Sequence, residues 1–149
     1  MEGKQVLPPT YLLVSIVTMV ALHFLLPVTT IIPLLWNILG IIPLALGVVI
    51  NIIADNALHK VKTTVKPFEE PSVLVTDGVF RISRNPMYLG FAFILMGVAV
   101  LMGSITPYVV IPLFVVLMDR IFVQAEEQTL AEKFGAAWLE YTEKTRRWM

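Results

Sequence analysis

Two short stretches hold most of the side chains that could do chemistry. The first is Val79-Phe80-Arg81-Ile82-Ser83-Arg84-Asn85-Pro86-Met87-Tyr88-Leu89-Gly90. A proline pushes the residue before it out of the helical region, so Asn85 is expected to be non-helical and Pro86 to open a helix. A helix start offers unsatisfied backbone N–H groups and the positive end of a dipole, a seat for a carboxylate or a polar cofactor edge. The plainer alternative is interfacial anchoring, with arginines on lipid phosphate and Tyr88 in an aromatic belt. The second stretch is Asp119-Arg120-Ile121-Phe122-Val123-Gln124-Ala125-Glu126-Glu127. On a regular helix Asp119 and Glu126 share a face, as do Arg120, Gln124 and Glu127. Here the plainer alternative is an Asp119/Arg120 pair at an interface, with both glutamates solvated.

Other chemistries are excluded or weakly supported. With no cysteine there are no thiolate zinc sites, iron–sulfur clusters, disulfides or thiol nucleophiles. The two histidines, His23 and His59, are isolated, so a protein metal site is not expected. His23, deep in an apolar run, reads as a neutral, hydrogen-bonded histidine. No Gly-x-Gly occurs, which removes a Rossmann-type nucleotide loop. Eleven basic against eleven acidic residues give no case for nucleic acid.

The elements that must carry these stretches follow from where charge is absent. Of 149 residues, 57% are apolar, and mean hydropathy is +0.80. No charged residue lies from Gln5 to Ala54 or from Asn85 to Met118, blocks of 50 and 34 residues. A bilayer core needs about 20 apolar residues per helical crossing, so each block holds two spans and a tight turn. The fold class expected is all-α: a polytopic membrane protein of one domain, with four transmembrane helices and a C-terminal amphipathic cytoplasmic helix. The spans are placed at about 11–26, 31–54, 87–103 and 106–123, with Thr106-Pro107 as N-cap and first helical position of the last. The last helix is expected to run on past Asp119. A loop, 55–86, and a tail, 124–149, carry the charge. The first span is read as a retained helix, since no small-x-small cleavage site follows Leu26. The positive-inside rule puts both termini and the loop in the cytoplasm; a bacterial or archaeal cell membrane is the expected setting.

In the tail, Leu130, Phe134, Trp138 and Tyr141 recur at helical spacing with a break near Gly135, which reads as packing rather than a cofactor box. Trp148 after Arg146-Arg147 reads as an interfacial anchor. Gly90 and Gly97, a heptad apart, are expected to let the third helix pack closely on a neighbour.

Together these residues resemble a family. Leu74-Val75-Thr76-Asp77-Gly78-Val79-Phe80, then Arg84-Asn85-Pro86-Met87-Tyr88-Leu89-Gly90, then Glu126-Glu127 followed by Leu130, Phe134-Gly135, Trp138, Tyr141 and Arg147-Trp148, are similar to the integral-membrane methyltransferases. These are the relatives of isoprenylcysteine carboxyl methyltransferase and phospholipid N-methyltransferase. The resemblance covers about residues 66–148. It implies S-adenosylmethionine as cofactor, bound on the cytoplasmic side by Leu74, Val75, Phe80, Arg84, Asn85, Pro86, Met87, Tyr88 and Glu126. Arg120 and Glu127 are carried as the catalytic pair. Better-known members have histidine where this chain has Asn85, which donates and accepts hydrogen bonds but carries no charge. The partner implied is a lipid or lipid-modified small acceptor, with no metal and no nucleic acid. The competing readings are a nicotinamide-dependent membrane reductase of similar build, a four-span transporter, and a non-catalytic assembly subunit.

Overall fold

The computed structural model describes residues 6–64 and 66–149. Helix α1, Pro8–Leu25, begins three residues earlier than expected because Pro8 occupies its first position, where no N–H is needed. The second helical run does not start at Ile31. Ile31 and Ile32 instead donate their N–H groups to Gly103 O at 2.8 and 3.1 Å, and Thr30 pairs with Ser104 as an isolated antiparallel bridge. With those amides spent and Pro33 disfavouring a helical residue before it, helix begins only at a 3₁₀ turn, Asn37–Gly40. That turn leads into α2, Ile41–Lys60, which outlasts the expected end at Ala54 by six residues.

Helix α3, Pro86–Met102, opens as the proline requires, after an Asn85 at φ −127°, ψ 59°. It ends at Gly103, whose φ of 72° a side chain would strain. A 3₁₀ turn, Thr106–Val109, then leads into α4, Val110–Met118. Thr106 is not the cap expected: it lies inside the turn, and its hydroxyl donates to Leu22 O at 3.3 Å on α1. A π-helical turn, Asp119–Val123, joins α4 to α5, Gln124–Phe134, so the rod is continuous from Thr106 to Phe134. Gly135, at φ 50°, breaks it, and α6, Ala136–Lys144, follows.

Helix α3 is the centre. Its Phe91, Leu95 and Ala99 are buried together with Met19 of α1 and Phe114 and Met118 of α4. Against α2 it packs backbone to backbone. A Cβ on Gly40 would stand 2.5 Å from Gly97 O, and one on Gly97 would stand 2.5 Å from Leu44 Cβ. Gly47 and Gly90 meet one heptad along in the same way. The expected close approach of Gly90 and Gly97 is therefore met by an equally spaced pair on the partner helix.

The outer faces are apolar: Leu13, Val14 and Val17 on α1, Ile42, Ile52 and Ile53 on α2, and Leu113 and Val116 on α4 are all exposed. Three helical runs, Pro8–Leu25, Asn37–Lys60 and Thr106–Phe134, are long and apolar enough to cross a membrane. Pro86–Met102 is a shorter apolar helix among them. Such faces lose nothing in lipid, where the helices satisfy their own backbone groups.

Candidate functional site

The charged loop and the segments after the π turn come together at one end of the bundle. Ser83 is fully buried; its Oγ donates to Arg147 O at 2.9 Å and accepts from the Asn85 amide at 3.1 Å. That hydroxyl fixes the turn into α3. One helical turn on, Tyr88 OH donates to Glu126 Oε1 at 2.6 Å, and its ring stacks on Phe122 with centroids 6.2 Å apart. Glu126 and Glu127 are neighbours on α5, and consecutive helical positions point about 100° apart. Their surroundings differ accordingly.

Glu126 faces a cavity of about 370 Å³, within the usual range of roughly 300–1,000 Å³ for small-molecule sites. Leu74, Val75, Phe80, Arg84, Asn85, Pro86, Met87, Tyr88 and Glu126 all line it. Its far walls come from Leu7 and Pro8 at the start of α1, Leu58 of α2, Phe68 of the loop, and Trp138 and Tyr141 of α6. Tyr141 is held there by a 2.5 Å hydrogen bond from its hydroxyl to Phe80 O, and burial pushes that phenol up from its ordinary range.

Glu127 does not line this cavity. It is buried behind Asn85, whose Nδ2 donates to its Oε1 at 3.2 Å. Its Oε2 accepts from Arg147 Nε at 3.1 Å and Nη2 at 2.7 Å. Arg147 also donates Nη1 to Asp119 Oδ1 at 3.2 Å. These bonds, chiefly those to Glu127, hold the Arg147 guanidinium still more firmly in its charged form. Arg84 completes the cluster: Nε lies 3.2 Å from Glu127 Oε1 but off line, and has no hydrogen-bond partner among the described residues. Its guanidinium sits 5.6 Å from the centroid of the Trp138 ring, a cation–π contact. Two carboxylates and two guanidiniums balance in a largely buried cluster, the condition under which buried charge is tolerated.

Arg120 is elsewhere. It is exposed on the outer side of the rod and does not line the cavity, so the structure does not bring it together with Glu127. The cause is the π turn, in which the Gln124 N–H reaches back five residues to Asp119 O. One residue beyond the α-helical count is taken up there, so faces drawn on a regular helix fail across it. Asp119 shares Arg147 with Glu127, eight residues on, instead of lining up with Glu126 at seven. Its other contact is from Gln124 Nε2 at 2.9 Å, and the Asp119/Arg120 pair is not formed.

Arg147 is the residue that spacing could not supply. Read as part of an interfacial anchor, it is the counter-ion of both Asp119 and Glu127, while Trp148 packs on the core around Phe91 and Phe122. Trp138 and Tyr141, read as packing, pack against Phe80 and also wall the cavity. At the opposite end of the bundle, His23 Nδ1 meets Ser104 Oγ at 2.7 Å, the hydrogen-bonded state expected for it. Among the described residues no group of three His, Asp or Glu side chains is arranged to hold a metal ion.

Comparison with known proteins points one way. The family model described as phospholipid methyltransferase matches residues 35–137. Protein-S-isoprenylcysteine O-methyltransferase A of Arabidopsis thaliana is 38% identical over 79 residues, covering 51% of this chain and 39% of that protein. Protein-S-isoprenylcysteine O-methyltransferase of Saccharomyces cerevisiae is 33% identical over 115 residues, 74% of this chain and 47% of that protein. The chain thus spans less than half the length of these curated relatives. Both are eukaryotic and lend nothing to a bacterial or archaeal placement. In fold, the chain is similar to the eukaryotic intramembrane Ras methyltransferase ICMT, with a TM-score of 0.68 and 20% identity, over 95% of this chain and 51% of that one.

Proposed function

The chain belongs to the phospholipid methyltransferase family, and on that premise we propose that it transfers a methyl group from S-adenosylmethionine to a lipophilic acceptor at the charged end of a membrane-embedded bundle. In this reading four helical runs cross the membrane, and the charged end and both termini lie in the cytoplasm.

The observation that carries the reading is convergence. The loop at Leu74-Val75, Phe80 in a 3₁₀ turn that spans Gly78–Arg81, the start of α3 and the first turn of α5 all reach one cavity. The donor set fits the ligand. Arg84 brings a guanidinium to the cavity wall, suited to a carboxylate. Glu126 carries one hydrogen bond, from Tyr88, and a carboxylate has acceptor capacity beyond that for an ammonium or ribose hydroxyl. Leu74, Val75, Phe80 and Trp138 supply flat and aliphatic surface for an adenine ring.

When bound, the cofactor supplies an electrophilic methyl on sulfonium, open to in-line displacement by the acceptor's nucleophile. The chain's part is then to align and to exclude water. Tyr88 fixes the Glu126 carboxylate, Ser83 and Asn85 fix the helix start, and Phe68 and Phe91 add apolar lining. In this reading a lipid-borne acceptor enters along the apolar lining to which Pro8 of α1 and Leu58 of α2 contribute.

Calorimetric titration of the detergent-purified protein with S-adenosylhomocysteine tests this, beside Glu126→Ala. Binding is expected for the parent chain and at least about tenfold weaker binding for the variant. Absence of heat from both would remove the cofactor reading. Equal affinity would remove only the role of Glu126. Labelled methyl transfer to a prenylcysteine or to a phospholipid amine then decides the acceptor class.

A further inference from the structure

We propose that Arg147 is a positioning residue: it keeps the Arg84 guanidinium available to the cavity by occupying the carboxylate that Arg84 would otherwise clasp. The proposal rests on the cofactor reading above and names the device that prepares one of its groups.

The geometry is a competition of two arginines for one buried acid. Bidentate pairing is the strong arrangement of guanidinium with carboxylate, and Arg84 is near enough to Glu127 to adopt it. It does not, because Oε2 of Glu127 takes both Nε and Nη2 of Arg147. Oε1 meanwhile takes Asn85 Nδ2. Arg147 prevails through its further anchors: Nη1 rests on Asp119 Oδ1 and its carbonyl accepts from Ser83 Oγ at 2.9 Å. The neighbouring Arg146 carbonyl accepts the Arg84 amide at 3.0 Å, which ties the segment around Arg147 to the turn that opens α3. Arg84 is left stacked on Trp138, with an unspent Nε and a guanidinium at the cavity wall. Without Arg147, Oε2 of a buried carboxylate would be bare. The nearby Arg84 fork would turn onto it and leave the cavity wall.

The test is a binding cycle with S-adenosylhomocysteine on the parent chain, Arg147→Ala, Arg84→Ala and the double variant. Each single change is expected to weaken binding about tenfold, and the double variant no further than Arg84→Ala alone, as for two residues acting through one contact. Arg147→Lys, which still neutralises Glu127, should recover affinity to within about threefold of the parent. The nucleoside thioether lacking the amino acid end, 5′-methylthioadenosine, should bind the parent and Arg147→Ala alike, a result that general loosening of the fold would not give. Additive losses, or parent-like affinity in Arg147→Ala, would refute the proposal. Should Arg147→Ala not fold, Arg147→Gln enters the same cycle and must show the same non-additivity. A parent chain that binds neither ligand removes the cofactor reading itself, an outcome distinct from either of these.

Discussion

The seam between α2 and α3 and the charged end of the same two helices hold together by opposite means. The seam works by what is missing. Gly40, Gly47, Gly90 and Gly97 let two backbones approach until a single added Cβ would meet a carbonyl or a neighbouring side chain. The charged end works by what is crowded in. Asp119, Glu127, Arg84 and Arg147 share few contacts, and each depends on the others for neutrality. A region held by close approach tolerates changes of charge nearby but no change of volume. A region held by paired charge behaves the other way round.

Three measurements can break or sharpen this contrast. The largest effect belongs to the seam. Gly97→Leu puts a branched side chain where Leu44 Cβ and Gly40 O already stand at 2.5 and 2.6 Å. Overpacking costs about 1–3 kcal/mol where neighbours can yield and more where they cannot, as with this backbone carbonyl, so thermal unfolding in detergent should show severe loss of folded protein, the same at low and high salt. Next comes Glu127→Ala, which strands the Arg84 guanidinium and leaves Arg147 with Asp119 alone in a largely buried cluster. Removing one partner of a buried pair costs about 3–5 kcal/mol, and part-exposure of Arg147 argues for the lower end. Its penalty in the same unfolding experiment should shift with ionic strength, while that of Gly97→Leu should not. The smallest effect is Tyr141→Phe, which removes the bond to Phe80 O and leaves the ring in place. About 1 kcal/mol is expected, read as a small fall in unfolding temperature. A salt-insensitive Glu127→Ala would dissolve the distinction between the two regions.

What the sequence disclosed divides along the same line. The break at Asn85 and the helix start at Pro86 follow from one proline's local sterics, and they were readable. So was the close packing of Gly90 and Gly97, since a heptad places both on one stripe. Gly40 and Gly47 have the same spacing, but nothing in a linear string says which stripe faces which. The nine cavity residues were picked out by resemblance to a family, and the structure places them around one space. Arg120, picked the same way, lies outside it. The late start of the second helix depended on Gly103 O taking the Ile31 and Ile32 amides from 72 and 71 residues away. That Glu127 and not Glu126 shares a side with Asp119, with Arg147 between them, depended on a π turn that no residue type announces. Long-range partners and helix register were the parts that local physics left open.

The π turn also marks where the chain can afford to be shorter. Five residues there cover an arc that an α-helix closes with one fewer, so Asp119–Val123 carries a spare. Loss of one residue from it, with exposed Arg120 the natural one, would heal the ladder to plain helix and leave both flanks aimed as before. Anywhere else between Thr106 and Ala125, the same loss would swing every later side chain by about 100° and carry Glu126 off the cavity wall. A lineage of such chains should therefore accept length variation at this one turn and resist it throughout the rest of the rod.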